Sequence, residues 1–224
     1  NAYIEECSCN NILEMIRIHR ILHYKSKTNI EPIVYYGPGS KSETNRVLII
    51  AALGIGKCCI KNPLISDDTL YMIKALKNLG INIELGDKCI NIEGCAGNIT
   101  INKDKILYLG NSGTSIRFLT AMTSIIKSEH KIILTGMERM KSRPIKHLVM
   151  ALKQLGVSIN TETESGCPPV IIFNNRENIL GGTTEIDCSV SSQYLSGLLM
   201  ISPCYGTDTK IYIKSDMVSS KFNT

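Results

Sequence analysis

Apolar and polar residues alternate along this chain in a pattern that predicts short strands separated by helices. Starting at Ile33, the pattern predicts a strand, a helix, a strand, a second helix and then a hairpin of two strands. Ser66 is expected to begin the second helix as its N-cap, and Gly80 is expected to end it. These elements are expected at residues 33–36, 42–53, 58–61, 66–79, 81–85 and 89–92.

The same order recurs later in the chain. The segment ALKNLGINI at residues 75–83 returns as ALKQLGVSI at residues 151–159, a shift of 76 positions. Pro144 is expected to open a helix of the second copy as its first residue. The second copy is expected at 112–126 (helix), 131–135 (strand) and 145–155 (helix), and the third at 183–187 (strand), 191–201 (helix) and 209–214 (strand). A period this long does not suit a helical solenoid. The pattern therefore predicts an α/β (α+β) fold of βαβαββ units around a pseudo-threefold axis, with a truncated third unit.

The composition is that of a globular protein. Hydrophobic residues make up 43% of the chain and charged residues 20%, which argues against disorder and against a coiled coil. Apolar runs of about eight residues are too short to span a bilayer, so no membrane contact is expected. Nine cysteines without a C-x-x-C spacing indicate reduced thiols in a cytoplasmic protein and no metal site. The net charge of +5 favours an anionic ligand only weakly and does not by itself indicate nucleic acid.

Small polar residues begin the first predicted helix of each unit, at positions 40–46, 111–117 and 189–193. A fourth polar cluster follows a strand and carries Arg139, Lys141 and Arg143. Free backbone N–H groups and the positive end of the helix dipole favour anions at a helix start. Pseudo-symmetric packing places equivalent helix starts at one end of the domain, so the sequence predicts a site for a polyanionic ligand there. Ordinary N-caps and solvated charges are the alternative interpretation.

Five segments of the chain resemble, in order, the signature segments of EPSP synthases: GPGSKSETNR, LGNSGTSIRFL, GMERMKSRPIKHL, SVSSQYLSGLLM and IKSDMVSSKF. The resemblance covers residues 33–222. It implies the enolpyruvate-transferase fold and 3-phosphoshikimate 1-carboxyvinyltransferase activity. That reaction transfers the enolpyruvyl group of phosphoenolpyruvate to the 5-hydroxyl of shikimate 3-phosphate, with no metal and no organic cofactor.

The resemblance also implies a domain organisation. The SDDT and ALKxLG helices resemble the fungal form of the enzyme, a domain of the pentafunctional arom polypeptide, so covalently linked shikimate-pathway domains are expected. Residues 1–30 are expected to be a linker or the end of a preceding domain, and residues 31–224 an incomplete N-terminal domain. In the family, a second domain supplies the proton-transferring acids. The chain alone is therefore expected to be inactive.

The resemblance assigns each substrate a set of contacts. Lys41 is expected to be catalytic and to touch both substrates. Shikimate 3-phosphate is expected to bind Lys41, Ser42, Arg46, Ser191, Ser192, Gln193 and Ser219, and phosphoenolpyruvate to bind Lys41, Asn111, Gly113, Arg139 and Gln193. Phe222 stands where the family usually has a tyrosine. Asp67 and Asp68 are interpreted as helix-capping residues rather than as acids of the reaction.

Two other functions fit parts of the pattern. The related enolpyruvyl transferase that acts on UDP-N-acetylglucosamine shares the implied fold, but the K-S-x-T-N-R run argues against it. A basic phosphate- or RNA-binding module is the other alternative. Such a module uses aromatic stacking platforms, and this chain has no tryptophan and 5% aromatic residues. Small-molecule substrates, and not nucleic acid, are therefore the expected ligands.

Overall fold

The structure is a computed structural model that describes residues 40–87, 89–173 and 181–214, together with the backbone of residues 33–36. The first unit contains all six expected elements. They are β1 (Ile33–Tyr36), α1 (Lys41–Leu53), β2 (Ile55–Lys61), α2 (Asp67–Asn78), β3 (Asn82–Leu85) and β4 (Cys89–Cys95). Both β2 and β4 are three residues longer than the sequence predicts, because Ile55 pairs with Cys95 and extends their ladder.

The first unit forms a four-stranded sheet in the order β1-β2-β4-β3. β1 runs parallel to β2, whereas β4 is antiparallel to both β2 and β3. The parallel pair requires a crossover connection, and α1 supplies it. Ile60, Ile90 and Ile92 point from the sheet into the core, where each is at most 2% exposed.

The second unit repeats this topology, which confirms the predicted repeat. Its elements are β5 (Lys105–Tyr108), α3 (Gly113–Thr123), β6 (Ile132–Thr135), a 3₁₀ helix (Glu138–Ser142), α4 (Lys146–Gln154), β7 (Ile159–Thr161) and β8 (Val170–Ile172). The sheet order is β5-β6-β8-β7, with β5 parallel to β6. Within the described residues the third unit consists of β9 (Gly182–Ile186), α5 (Gln193–Ile201), a 3₁₀ helix (Ser202–Cys204) and β10 (Thr209–Ile213), and its two strands are parallel.

Several helix boundaries differ from the sequence prediction, and two of these differences have a clear physical reason. Pro144 is not the first residue of α4, because Ile145 keeps a non-helical backbone and donates its N–H to the carbonyl of Gly166 at 2.9 Å. Pro144 therefore lies outside the helix. The helix expected at 112–126 ends at Thr123, because the N–H groups of Ile125 and Ile126 turn back to carbonyls three residues earlier.

The first helices of the three units, α1, α3 and α5, lie together in the core, with the sheets outside them. Every residue of α3 except Arg117 is buried, which is typical of a helix enclosed on all sides. Gly197 of α5 lies close against this helix, and a Cβ there would stand 3.2 Å from the Cβ of Ala121. This close packing brings the starts of the three helices near one another, and the candidate site lies there.

Candidate functional site

The start of α1 brings Ser42 and Arg46 into contact. Ser40 is the N-cap, and its hydroxyl accepts the N–H of Glu43 at 3.5 Å. Arg46 folds back over one helical turn, donating to the carbonyl oxygen of Ser42 at 3.2 Å and also contacting its hydroxyl. Lys41, the first residue of the helix, is exposed. Two cations and a hydroxyl thus stand within the first two turns of α1.

Arg46 also connects α1 to the other two core helices. Its Nη2 donates to Oγ of Ser196 in α5 at 3.1 Å, and its guanidinium carbon lies 5.0 Å from the ring centre of Phe118 in α3. Burial lowers the pKa of Arg46, and the nearby Glu43 acts in the opposite direction. Because an arginine remains protonated in proteins, the start of α1 carries a largely desolvated positive charge.

The start of α3 is tied to the start of α2 by buried serines. Ser112 is the N-cap, and its hydroxyl accepts the N–H of Ser115 at 3.3 Å. The hydroxyl of Ser115 donates to the backbone carbonyl of Asp68 at 3.0 Å. Since that bond uses the only hydroxyl proton of Ser115, the 2.6 Å contact between the two hydroxyls is donated by Ser112. The chain of bonds fixes where α2 begins relative to α3.

Asp68 has a contact that the sequence interpretation missed. Its carboxylate forms an ion pair of 2.6 Å with the ammonium of Lys41. The prediction that Ser66 caps α2 is correct, since the N–H of Ser66 donates to Oγ1 of Thr69 at 2.8 Å within a capping box. Ser66 and Thr69 therefore cap the helix without Asp68. The carboxylate of Asp68, in the first turn of α2, instead contacts the expected catalytic lysine at the start of α1.

Asn111 and Gly113 meet an arginine that was not among the predicted substrate contacts. Nε of Arg143 donates to Oδ1 of Asn111 at 3.2 Å. A Cβ on Gly113 would stand 2.6 Å from Nη1 of Arg143, so the glycine makes room for the guanidinium. Arg143 was noted in the sequence only as one of three basic residues after a strand.

Arg117 organises the start of α5. Its Nη1 donates to Oε1 of Gln193 at 2.8 Å and to Oγ of Ser191 at 3.2 Å. Nε2 of Gln193 in turn donates to Oγ1 of Thr114 at 3.0 Å, so both ends of this amide are held. Burial lowers the pKa of Arg117; the neighbouring Tyr194 opposes that shift, and Arg143 adds to it.

The structure thus brings most of the predicted site residues into one connected region. Ser42 and Arg46 join Ser196 of α5, and Ser191 and Gln193 join Arg117 of α3. Ser192, the N-cap of α5, is 7% exposed.

Among the predicted residues that the structure describes, Arg139 stands apart from this region. Arg139 lies exposed on the 3₁₀ helix, and within the described part of the chain no hydrogen bond or ion pair holds its side chain. The prediction for Ser219 falls outside the described residues.

Arg117 could have been found from the sequence by aligning the helix starts. KSETNR in α1 and SGTSIR in α3 end on Arg46 and Arg117, and a shift of 76 from Arg117 leads to Gln193. The contact of each arginine with an aromatic ring repeats as well. The guanidinium carbon of Arg117 lies 5.2 Å from the ring centre of Tyr194, and that of Arg46 lies over the ring of Phe118. No comparable signal in the sequence indicates the pair formed by Asp68.

Other possible sites lie away from the helix starts. A cavity of about 290 Å³ on the outer face of the first sheet is lined by residues that include Lys57, Cys59 and Glu93. A cavity of about 300 Å³ lies beside α4, where Lys146 and Glu162 are among its lining residues. In the part of the chain that the structure describes, no group of three or more His, Cys, Asp or Glu side chains could hold a metal ion. No helix in that part is long and apolar enough to cross a membrane.

Comparison with known proteins gives a consistent result. The family model for EPSP synthase (3-phosphoshikimate 1-carboxyvinyltransferase) matches residues 26–221. The 3-phosphoshikimate 1-carboxyvinyltransferase of Haemophilus influenzae strain PittGG is 47% identical over 188 residues, which are 83% of this chain and 43% of that protein. The protein of the same name from Mannheimia haemolytica is 44% identical over 189 residues, again 83% and 43%. The chain therefore spans less than half the length of these relatives.

Solved structures show the same fold. The EPSP synthase of Acinetobacter baumannii superposes with a TM-score of 0.71 at 26% identity, covering 85% of this chain and 42% of that one. The enolpyruvyl transferase NikO of Streptomyces tendae superposes with a TM-score of 0.53 at 12% identity, covering 78% and 38%, and this likeness concerns the fold alone.

Proposed function

This chain belongs to the EPSP synthase family, and we propose that the protein containing it transfers the enolpyruvyl group of phosphoenolpyruvate to the 5-hydroxyl of shikimate 3-phosphate. The observation that carries the proposal is the meeting of three helix starts, linked by Arg46 and Arg117. The two substrates together bring two phosphates and two carboxylates into one place. Their mutual repulsion has to be offset by cations, hydroxyls and backbone N–H groups, and the helix starts offer all three.

In this proposal the shikimate 3-phosphate side lies at α1 and α5. Arg46 and Ser42, already in contact, bind the ligand together with Lys41, and Ser191 and Ser192 bind it from α5. Gln193 lies between the two ligands, held by Arg117 and Thr114. Ser219 completes the contacts expected for the phosphate.

The phosphoenolpyruvate side lies at α3 and the 3₁₀ helix. Asn111 lies just before α3 and Gly113 is the first residue of that helix. Arg139 supplies a guanidinium that matches a phosphate or carboxylate with two parallel bonds. Arg139 is exposed, which leaves it accessible to a ligand. Because Gly113 has no Cβ, phosphoenolpyruvate can approach the backbone closely at this position.

The proposed reaction proceeds by addition and elimination. The terminal methylene carbon of phosphoenolpyruvate accepts a proton and becomes a methyl group, while the 5-hydroxyl loses its proton and adds to the neighbouring carbon to give a tetrahedral intermediate. Phosphate then leaves as the methyl group gives up a proton, which restores the carbon–carbon double bond in the product. Lys41 touches both substrates and stabilises the charge on the phosphate that leaves, as a fixed cation does in other displacement reactions. The proton-transferring acids are proposed to lie in a second domain, so the 224 residues alone are expected to be inactive.

We also propose the setting of this activity. The SDDT and ALKxLG helices support an origin in an arom-like polypeptide, with shikimate-pathway domains linked covalently. Thiols without a metal spacing support a reducing compartment, the cytoplasm.

The test of the activity uses the full-length product of the gene. Phosphoenolpyruvate and shikimate 3-phosphate together should release phosphate and form the enol ether in equal amounts, whereas either substrate alone should release none. Lys41→Met should abolish the release. Release of phosphate with UDP-N-acetylglucosamine in place of shikimate 3-phosphate, or with no acceptor, would overturn the proposal.

A further inference from the structure

We propose that Asp68 is a positioning residue that holds the ammonium of Lys41 in place for the reaction. The inference rests on the proposed function, in which Lys41 touches both substrates. Its basis is the 2.6 Å ion pair between Asp68 in the first turn of α2 and Lys41 at the start of α1. The two residues are far apart in the sequence, so the ion pair forms only because the starts of α1 and α2 lie close together.

Asp68 is the fixed partner of this pair. Its backbone carbonyl accepts the hydroxyl proton of Ser115 at 3.0 Å, and Ser115 is itself held by Ser112 in a fully buried contact. The side chain of Asp68 is 22% exposed, whereas that of Lys41 is 49% exposed. An ammonium on a flexible four-carbon stem has many positions open to it, and a fixed carboxylate reduces them to a few.

Asp68 also has an electrostatic cost at this place. Its negative charge repels any phosphate or carboxylate that approaches Lys41, so it weakens the binding of anions. Lys41 has three N–H donors, and the pair occupies one side of the ammonium while leaving the other donors for ligands. Asp68 is therefore expected to raise kcat, because it orients Lys41. It is also expected to lower the affinity of the site for anionic substrates.

The chain offers a matched control in Asp67. It lies next to Asp68 in the first turn of α2, where its charge is also favourable at the helix dipole, and it is exposed. Asp68→Asn and Asp67→Asn each remove one negative charge from this turn, and the asparagine keeps nearly the same shape. Only the first substitution removes the charge that faces Lys41.

In the full-length product, Asp68→Asn should lower kcat about ten- to hundredfold while the Kd for shikimate 3-phosphate stays equal or tightens by up to about tenfold. Asp67→Asn should change both quantities by less than about twofold. An Asp68→Asn protein with the kcat of the unmodified protein, or with a weakened affinity for shikimate 3-phosphate, would overturn the inference.

A second measurement tests the pair without relying on turnover. Acetic anhydride should acetylate Lys41 at least about threefold faster in Asp68→Asn than in the unmodified protein or in Asp67→Asn, with Lys57 as the internal standard in peptide mass spectrometry. Equal rates in all three proteins would overturn the inference even if the enzyme is active. A protein that shows the faster acetylation but no enolpyruvyl transfer would instead contradict the proposed function.

Discussion

Arg117 and Gln193 stand one repeat apart in the sequence, and a 2.8 Å hydrogen bond joins them at the starts of α3 and α5. Arg46 occupies in α1 the position that Arg117 occupies in α3, and it is connected to α5 through Ser196. Each guanidinium also lies over an aromatic ring of the next core helix in the chain, Phe118 or Tyr194. The repeat of the fold is therefore also a repeat of contacts at the candidate site.

Arg117→Lys tests the connection between α3 and α5. A lysine cannot reproduce the fork that reaches both Ser191 and Gln193, so we expect the free energy of unfolding to fall by about 1–3 kcal/mol. Urea denaturation followed by circular dichroism measures this loss. In a double-mutant cycle with Gln193→Met, the coupling between the two side chains should be about 1 kcal/mol. Additive effects of the two substitutions would show that the hydrogen bond contributes nothing to stability.

Gly113→Ala should affect one substrate more than the other. Its Cβ would stand 2.6 Å from Nη1 of Arg143, so the guanidinium has to move and its bond to Asn111 is expected to break. We expect the KM for phosphoenolpyruvate to rise about tenfold, and that for shikimate 3-phosphate to change by less than about twofold. Gly86→Ala is the control, since its Cβ would also approach a side chain, Sγ of Cys89 at 3.1 Å, but in the β3–β4 turn. A similar rise for both substrates would remove Gly113 from the phosphoenolpyruvate side.

Arg139→Lys in the full-length product tests the proposed role of the exposed arginine. Loss of one of two parallel bonds should weaken phosphoenolpyruvate by about 1.5–3 kcal/mol and shikimate 3-phosphate far less. Lys141→Ala is the control, because Lys141 lies in the same 3₁₀ helix and pairs with Glu138 at 3.0 Å. Isothermal calorimetry gives both affinities, and equal losses would contradict the assignment of Arg139.

Cys204 should make the stability of the chain depend on pH in alkaline solution. Burial raises the pKa of this thiol from 9.0 to about 11, and the neighbouring Cys95 adds to the shift. The folded protein therefore keeps the proton to a higher pH than the unfolded chain does, and this contribution is complete below about pH 9. As the pH rises from about 9 to about 11, the unfolding free energy should fall by about 2 kcal/mol.

The Cys204→Ala variant isolates this effect. Without the thiol, the decline in unfolding free energy between about pH 9 and about pH 11 should be smaller by about 2 kcal/mol. Chemical denaturation at several pH values measures the difference between the two proteins. Parallel curves for the two proteins would show that the pKa of Cys204 is not raised in the folded protein.

Much of the fold could be predicted because each unit carries its own periodic pattern. The helices of the first unit follow from apolar spacing and from Ser66 and Gly80, and the structure confirms both. The repeat predicted that strands stand at the places of β5, β7 and β8, but their residues were not assigned from the sequence. The true start of α4 depends on the bond from Ile145 to Gly166, a tertiary contact that no local signal reveals.

The candidate site was predictable in its location but not in its connections. Polar helix starts and a repeat are enough to bring Arg46 and Gln193 to one end of the domain. The partners of these residues depend on how the helices pack, and the ion pair of Lys41 with Asp68 is the clearest case. An aspartate in the first turn of a helix is already explained locally as a favourable charge at the helix dipole, so the local pattern does not indicate a distant partner.

Hydrogen exchange of the full-length product, measured with increasing shikimate 3-phosphate, tests most directly whether the helix starts form one anion site. We expect exchange to slow at residues 41–46 and at residues 191–194 with the same midpoint in ligand concentration, because one ligand bridges both helices. Exchange in the β3–β4 hairpin should not change. Slowing at only one helix start, or at the two starts with different midpoints, would contradict a single site shared by α1 and α5.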